Sequence, residues 1–327
     1  MKVFIAALAV AFSASFALAA DYPERTISIV VPYSAGGVTD AYARQMLPKL
    51  QERLGQTVIV ENKPGSGSLV GAMDVARSEP DGYRILMTAY GVISNEVLMT
   101  NTPFELADLS PVYMLGRGSN MLMMRPDYPL DTIQEITDWA KAHPGELKGV
   151  FVIRTSLELK LASSGVGASP HIAAELWANR VGVDFLHIPY QGSAPSRLDV
   201  IAGRVDGMFD GVSAVSYVES GDVKAIAIAS EERHPSLPDV PTFKESGIDF
   251  VFGTIFGFYV PVDTPQDVQD QIFAALADVA RDPEIEKTLV RQGLDTTPRT
   301  QAEFQEIVAN ELAQLNELVK LGRLTPQ

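Results

Sequence analysis

The sequence predicts a two-lobed α/β protein, each lobe a mostly parallel sheet flanked by helices. Three observations predict it. Apolar, β-branched runs alternate with helical patterns along most of the chain, as parallel strands joined by crossover helices require. About three hundred mature residues exceed the ~100–200 of an ordinary domain, so two cores are expected. Glycine-rich turns follow several strands, and in open α/β sheets ligands sit beyond the carboxyl ends of the strands.

Residues 1–20 contain Lys2, an apolar run from Val3 to Phe12 and the small-residue end Ala17-Leu18-Ala19. This is the layout of a secretory signal peptide, with cleavage expected beside Ala19 or Ala20. The run is short for a membrane span, so an exported, soluble mature chain is expected. The chain has no cysteine, hence no disulfide, thiolate metal site or lipid-bearing thiol. A formal net charge of −15 argues against nucleic acid or an anionic membrane surface as partner. An anionic small molecule stays compatible, because nearby N–H dipoles act at close range while distant surface charge is screened.

The run Ile27–Val31 reads as a buried strand that Pro32 stops. Tyr33-Ser34-Ala35-Gly36-Gly37-Val38-Thr39-Asp40 then turns into a helix, which Thr39 or Asp40 can cap. Adjacent glycines allow consecutive N–H groups to converge, and a helix N-terminus over a strand end attracts anions. The same turn also serves as a plain connector. Thr57–Glu61 is the second strand, Val70–Ala76 a helix, and Tyr83–Thr88 the third strand, ending at Thr88-Ala89-Tyr90-Gly91. Two apolar segments, Val112–Leu115 and Met121–Met124, broken by Gly116-Arg117-Gly118, mark the passage into a second lobe.

Helix Thr132–His143 follows, then a strand-like Val150–Ile153 within Leu147–Lys160. A second glycine turn, Ser163-Ser164-Gly165-Val166-Gly167-Ala168-Ser169-Pro170-His171, opens helix Pro170–Arg180. Strand Phe185–Ile188 ends at Tyr190, helix Ala194–Ala202 at Gly203, and strand Gly207–Phe209 at Asp210. Strand Val223–Ala229 is where the chain is expected to return toward the first lobe. Long helices through Ala280 and from Thr300 to Val319 complete it. The expected division is 21–115 for the first lobe, 116–222 for the second, and 223–327 for the return and completion of the first.

Catalytic motifs do not emerge. Gly65-x-Gly67-x-x-x-Gly71 lacks the dinucleotide spacing, and Gly165-x-Gly167-x-Ser169 is not a nucleophile elbow. His171 and Glu175 share a helix face without a third metal ligand. Ser34, Thr88, Ser163, Ser164, Ser169, Tyr190 and Asp210 fall instead at strand ends or glycine turns. Each alone suits a cap or turn; together they suit a cleft that holds a ligand. The expectation is a binding protein without metal or cofactor. A hydrolase using Ser164 or His171 is the rival class.

At these turns the sequence resembles the periplasmic solute-binding proteins of the tripartite tricarboxylate transporter class, also called the Bug family. The resemblance runs through Tyr22-Pro23, Val30-Val31-Pro32, Gly36-Gly37-x-Thr39-Asp40 and Ala43-Arg44, then Val60-Glu61-Asn62-Lys63-Pro64-Gly65-x-Gly67. Pro80-Asp81-Gly82-Tyr83, Ala162-Ser163-Ser164-Gly165-x-Gly167-x-Ser169-Pro170-His171, Pro189-Tyr190-x-Gly192 and Leu237-Pro238-Asp239-Val240-Pro241-Thr242 continue it in order. Gln191, Gly211 and Tyr33-Ser34-Ala35 depart from the usual lysine, asparagine and proline-rich turn.

The resemblance implies a periplasmic-binding-protein-like fold of type II, two lobes on a hinge closing over a small organic carboxylate. It further implies delivery to membrane permease subunits by a monomeric shuttle. A subunit presenting the ligand to a membrane kinase is the alternative partner. The ligand residues expected are Tyr33, Ser34, Ala35, Gly36, Gly37, Thr39, Asp40, Thr88 and Tyr90 from the first lobe. From the second they are Ser163, Ser164, Gly165, Gly167, Ser169, His171, Tyr190 and Asp210.

Overall fold

The computed structural model describes residues 22–100, 102, 105–143, 159–190 and 192–326. The expected signal peptide, the strand expected at Val150–Ile153 and the departure at Gln191 lie outside the described residues.

In chain order the elements begin with β1 (Ile27–Val31), α1 (Val38–Leu54), β2 (Val58–Asn62), α2 (Leu69–Ala76), β3 (Arg84–Thr88) and α3 (Gly91–Leu98). Then come β4 (Leu109–Met124), α4 (Ile133–Ala142), β5 (Lys160–Ser163), α5 (Ser169–Val181), β6 (Leu186–Pro189), α6 (Ser193–Ile201) and β7 (Gly207–Gly211). The chain closes with α7 (Val215–Glu219), β8 (Lys224–Ile228), β9 (Gly253–Pro261), α8 (Gln266–Ala280), α9 (Pro283–Arg291), β10 (Leu294–Asp295) and α10 (Gln301–Lys320).

Local chemistry sets several boundaries. Thr132 with Glu135, and Thr300 with Glu303, form reciprocal capping boxes that start α4 and α10. Asp282 accepts from the Glu284 and Ile285 amides ahead of Pro283, starting α9. Gly55, left-handed at φ 65°, ends α1 by donating to the Gln51 carbonyl. No helix among the described residues is long and apolar enough to cross a membrane.

The sheet has two halves. In the first, β1 lies parallel to β2 and β3, and β9 and β4 follow antiparallel. In the second, β5 lies parallel to β6 and β7, while β7 and β8 each pair antiparallel with β4. The outer strands of each half are therefore parallel, as the alternating pattern requires; β9 runs against them in the first half and β4 in the second. Alternate residues of β1 serve opposite faces: Ile27, Ile29 and Val31 pack with Met46 and Leu276, Val30 with Leu86 and Tyr90.

β4 is the shared element. Its first part pairs with β9 and β10, its last five residues with β7 and β8. The two segments expected here are one strand of 16 residues. Gly116 and Gly118 interrupt the apolar pattern without a turn, because neighbours approach their backbone closely: a Cβ on Gly116 would lie 2.7 Å from Leu294 Cγ. β8 still pairs with β4, and the chain reaches the first half only between Ala229 and Gly253. At that junction three segments interlock: Asn120 N–H donates to Phe252 O (3.3 Å), Phe252 N–H to Ala229 O (3.0 Å), and Ala229 N–H to Asn120 O (2.8 Å).

Candidate functional site

The strand-end turns open onto one cavity of about 800 Å³ between the halves of the sheet. That falls within the ~300–1,000 Å³ usual for small-molecule pockets. Four helices start at its wall, with caps Gly37 for α1, Tyr90 for α3, Ala168 for α5 and Gly192 for α6. Two come from each half. A helix start leaves backbone N–H groups without intrahelical partners and carries the positive end of the helix dipole. In α1 the first amide used by the helix is that of Ala41, donating to Gly37 O at 2.9 Å, which leaves those of Val38 and Thr39 at the cavity wall.

Side chains add little positive charge. Among the described lining residues there is no lysine, arginine or histidine, and Asp210 is the one carboxylate. Its Oδ2 accepts from Arg197 Nε (2.9 Å) and Nη2 (2.7 Å), and its Oδ1 from the Gly211 amide (2.8 Å). Burial raises the Asp210 pKa, with the Arg197 guanidinium opposing it. Arg197 lies 4.6 Å from the Tyr217 ring centre, which fixes the guanidinium from its far side. The pair is close to neutral, so the field in the cavity comes chiefly from oriented backbone.

Of the residues expected from sequence, Tyr33, Gly37, Thr39, Tyr90, Ser164, Gly165, Gly167, Ser169, Tyr190 and Asp210 line this cavity. Seven others do not. Ser34, Ala35 and Gly36 lie exposed on the outer side of the first turn. The Gly36 amide donates to Asp40 Oδ2 (2.8 Å) and the Gly37 amide to Ser34 O (3.3 Å), so these two N–H groups close the turn instead of converging on the cavity. Asp40 is no cap either. It sits within the first turn of α1, where its carboxylate also accepts from Arg44 (3.0 Å) and Asn62 (2.9 Å). Burial works to raise its pKa, and these hydrogen bonds prevail and hold it low. Thr39 is likewise inside the helix, whose cap is Gly37.

Thr88 is buried behind the wall, 3.3 Å from the hydroxyl of Tyr33. Ser163 and His171 lie beneath the second turn and support it. Ser163 Oγ accepts from the Gly165 amide (3.2 Å) and meets His187 Nε2 at 2.6 Å; His171 Nδ1 accepts from the Gly167 amide (3.1 Å). The two imidazoles stack with centres 3.8 Å apart. Ser163 is fully buried, and Nδ1 of His171 is already engaged, which removes both from the role of nucleophile or base toward a bound molecule.

Other lining residues escape the sequence reading. Gly91 and Ser94 belong to α3, a helix hidden in sequence because Tyr90-Gly91 reads as a strand end; Asn120 and Thr254 arrive from the junction of the halves. Gly67 held a legible signal. It lies in the Gly65-Ser66-Gly67-Ser68 turn, and its carbonyl accepts from Asn95 at 2.9 Å. Beneath Tyr90, Glu311 of α10 accepts from the Tyr90 hydroxyl and from Arg117, both at 3.0 Å. That buried carboxylate clamps the start of α3 to β4.

The layer under the second turn has a pH signature. Burial lowers the pKa of His171 to about 3, with His187 adding, and burial lowers that of His187 to about 4. Burial raises Glu175 to about 7, with Arg323 opposing and Asp184 adding. Between the ordinary imidazole range and these low values the native state holds fewer protons than the unfolded chain, so stability falls as pH drops. Glu175 has the opposite sign. The native state retains its proton from the ordinary carboxyl range up to about 7, so stability falls as pH rises through that window, by about 3 kcal/mol in all. From about pH 5 to 6.5 the two signs oppose each other and the two histidines outweigh the one carboxyl, so Glu175→Gln is expected to steepen the rise in melting temperature with pH over that range, as thermal scans across pH will check.

Residues 42–324 match the family model described as "Tripartite tricarboxylate transporter family receptor". The solved structure of the periplasmic binding protein BugD is 33% identical, covers 94% of this chain and 100% of its own, and superposes with a TM-score of 0.77. An R. palustris protein solved with adipate is 26% identical, with 94% and 100% covered and a TM-score of 0.80. MatC from Rhodopseudomonas palustris, solved with bound malate, is 27% identical, with 91% and 100% covered and a TM-score of 0.77. The chain has a periplasmic-binding-protein fold and belongs to the tripartite tricarboxylate transporter receptor family.

Proposed function

We propose that this chain is an extracytoplasmic solute receptor that captures a small organic carboxylate and hands it to a tripartite tricarboxylate-type permease. The observation that carries the reading is the meeting of four helix starts, two from each half, on a cavity whose described lining residues include no basic side chain. Such a site favours an anion held by amide N–H groups and hydroxyls. The adipate and malate held by two relatives of similar fold are of this class. Residues 1–20 act as a cleaved export signal in this reading, and the periplasm is the place of work.

The halves act as the two lobes, with the junction at Asn120, Ala229 and Phe252 as the hinge. An anion touching both lobes favours the closed state by the difference in its contacts, without a covalent step. Calorimetric titration of ligand-stripped protein with malate, adipate and succinate tests the reading. A 1:1 complex in the micromolar range with at least one acid, about −8 kcal/mol, is expected. Absence of heat with all of them, or turnover of the matching esters, would sink it. Capture of permease subunits by the loaded protein from its host's membranes separates transport from kinase signalling.

A further inference from the structure

We propose that the side-chain amide of Asn120 is a ligand-reading group, presenting its Nδ2 hydrogens to an oxygen of the bound carboxylate; this rests on the carboxylate-receptor reading above. Asn120 is 1% exposed and lines the cavity. Its backbone is fixed at the junction of the halves, with the N–H donated to Phe252 O and the carbonyl accepting from Ala229. Its side chain is oriented by a relay. Thr254 Oγ1 donates to Ser169 Oγ at 2.7 Å, and Ser169 Oγ donates to Asn120 Oδ1 at 3.1 Å. The amide oxygen is thereby used, and the amide nitrogen is turned elsewhere.

That nitrogen has no hydrogen-bond partner among the described residues, although it is buried. Buried donors are almost always satisfied, and an unpaired one calls for an acceptor. The cavity is where the acceptor enters. The relay also draws on three places, since Thr254 stands on β9, Ser169 at the start of α5 and Asn120 on β4. The helix starts attract negative charge in general, whereas an amide held by a relay asks for an acceptor in one direction. Asn120 is therefore the group that discriminates among anions of different shape.

The test uses the full mature protein, with malate and adipate titrated calorimetrically into wild type, Asn120→Asp and Thr254→Val, and a crystal structure with the tighter acid. Asn120→Asp keeps size and the oxygen facing Ser169 but replaces the donor with a charged acceptor. Affinity for the diacid is expected to fall about 100-fold, and the monoamide of the same acid, whose nitrogen can donate, to gain at least about tenfold relative to the diacid. Thr254→Val, which only loosens the relay, is expected to cost about threefold with the ligand-free melting temperature unchanged. The crystal structure should place a ligand oxygen within hydrogen-bond reach of Asn120 Nδ2.

Diacid binding by Asn120→Asp within about threefold of wild type, or a bound acid that leaves Nδ2 to water or turned toward Ser169, would overturn the inference while the carboxylate reading stands. Failure of the wild type to bind any of the acids would overturn both.

Discussion

Gly165→Val is expected to lower carboxylate affinity by about 100-fold or more while the protein still folds. Gly165 sits at φ 141°, a conformation that side-chain-bearing residues rarely adopt. Its amide donates to Ser163 Oγ, and its carbonyl accepts from the Ala168 amide at 3.2 Å and from Ser163 Oγ at 3.0 Å. A valine at this point stores about 1–3 kcal/mol of backbone strain, which the turn relieves by moving. Ser164, Gly167 and Ser169 then move with it, and all three line the cavity. Gly182→Ala is the control: this glycine is also left-handed, at φ 71°, but caps the far end of α5 with open space around it. It should cost about 1 kcal/mol of stability and leave binding unchanged. Calorimetry and thermal scans on both variants check the pair of outcomes; wild-type affinity in Gly165→Val would count against the second turn as a binding element.

Arg197→Met is expected to lower the melting temperature by roughly 6–12 °C and to abolish carboxylate binding at neutral pH. Removing one partner from a buried ion pair leaves the other uncompensated, at a cost of about 3–5 kcal/mol. Here the stranded group is Asp210, already raised in pKa by burial and facing the cavity. Without the guanidinium its charge repels an anionic ligand, and neutralising it by acid should restore part of the binding. Arg197→Met combined with Asp210→Leu should recover most of the stability, because an apolar pair of similar volume carries no desolvation cost. Thermal scans of the single and double variants, with titrations at about pH 5 and 8, read out both effects. A single variant as stable as wild type would mean that the pair is not worth its burial.

The parts of the fold legible in sequence are those written locally. Thr132 and Thr300 announce their helices because a cap, a glutamate three residues on and an apolar stripe agree within one turn. The glycine turns at Gly37 and Gly165 likewise reveal where strands give way to helices at the cavity. What stays hidden depends on face and on distance along the chain. Ser163 and Ser164 are equivalent in sequence, yet successive residues at a strand end point opposite ways, so one props the turn and the other lines the cavity. Asp40 reads as a cap, but the folded chain spends its carboxylate on Gly36, Arg44 and Asn62. Asn120, Ser169 and Thr254 meet from three elements up to 134 positions apart, a relation that no local pattern encodes.

The origin of the positive field in the cavity has an evolutionary consequence. Every amino acid except proline brings the same N–H to a helix start, so mutation can rewrite most of the surrounding side chains without discarding the attraction for negative charge. Anion preference and shape preference are thus inherited separately. A lineage built this way can drift from one metabolite to another by small edits to the wall, such as at Phe256 or Gln292, while the electrostatic frame beneath stays in service.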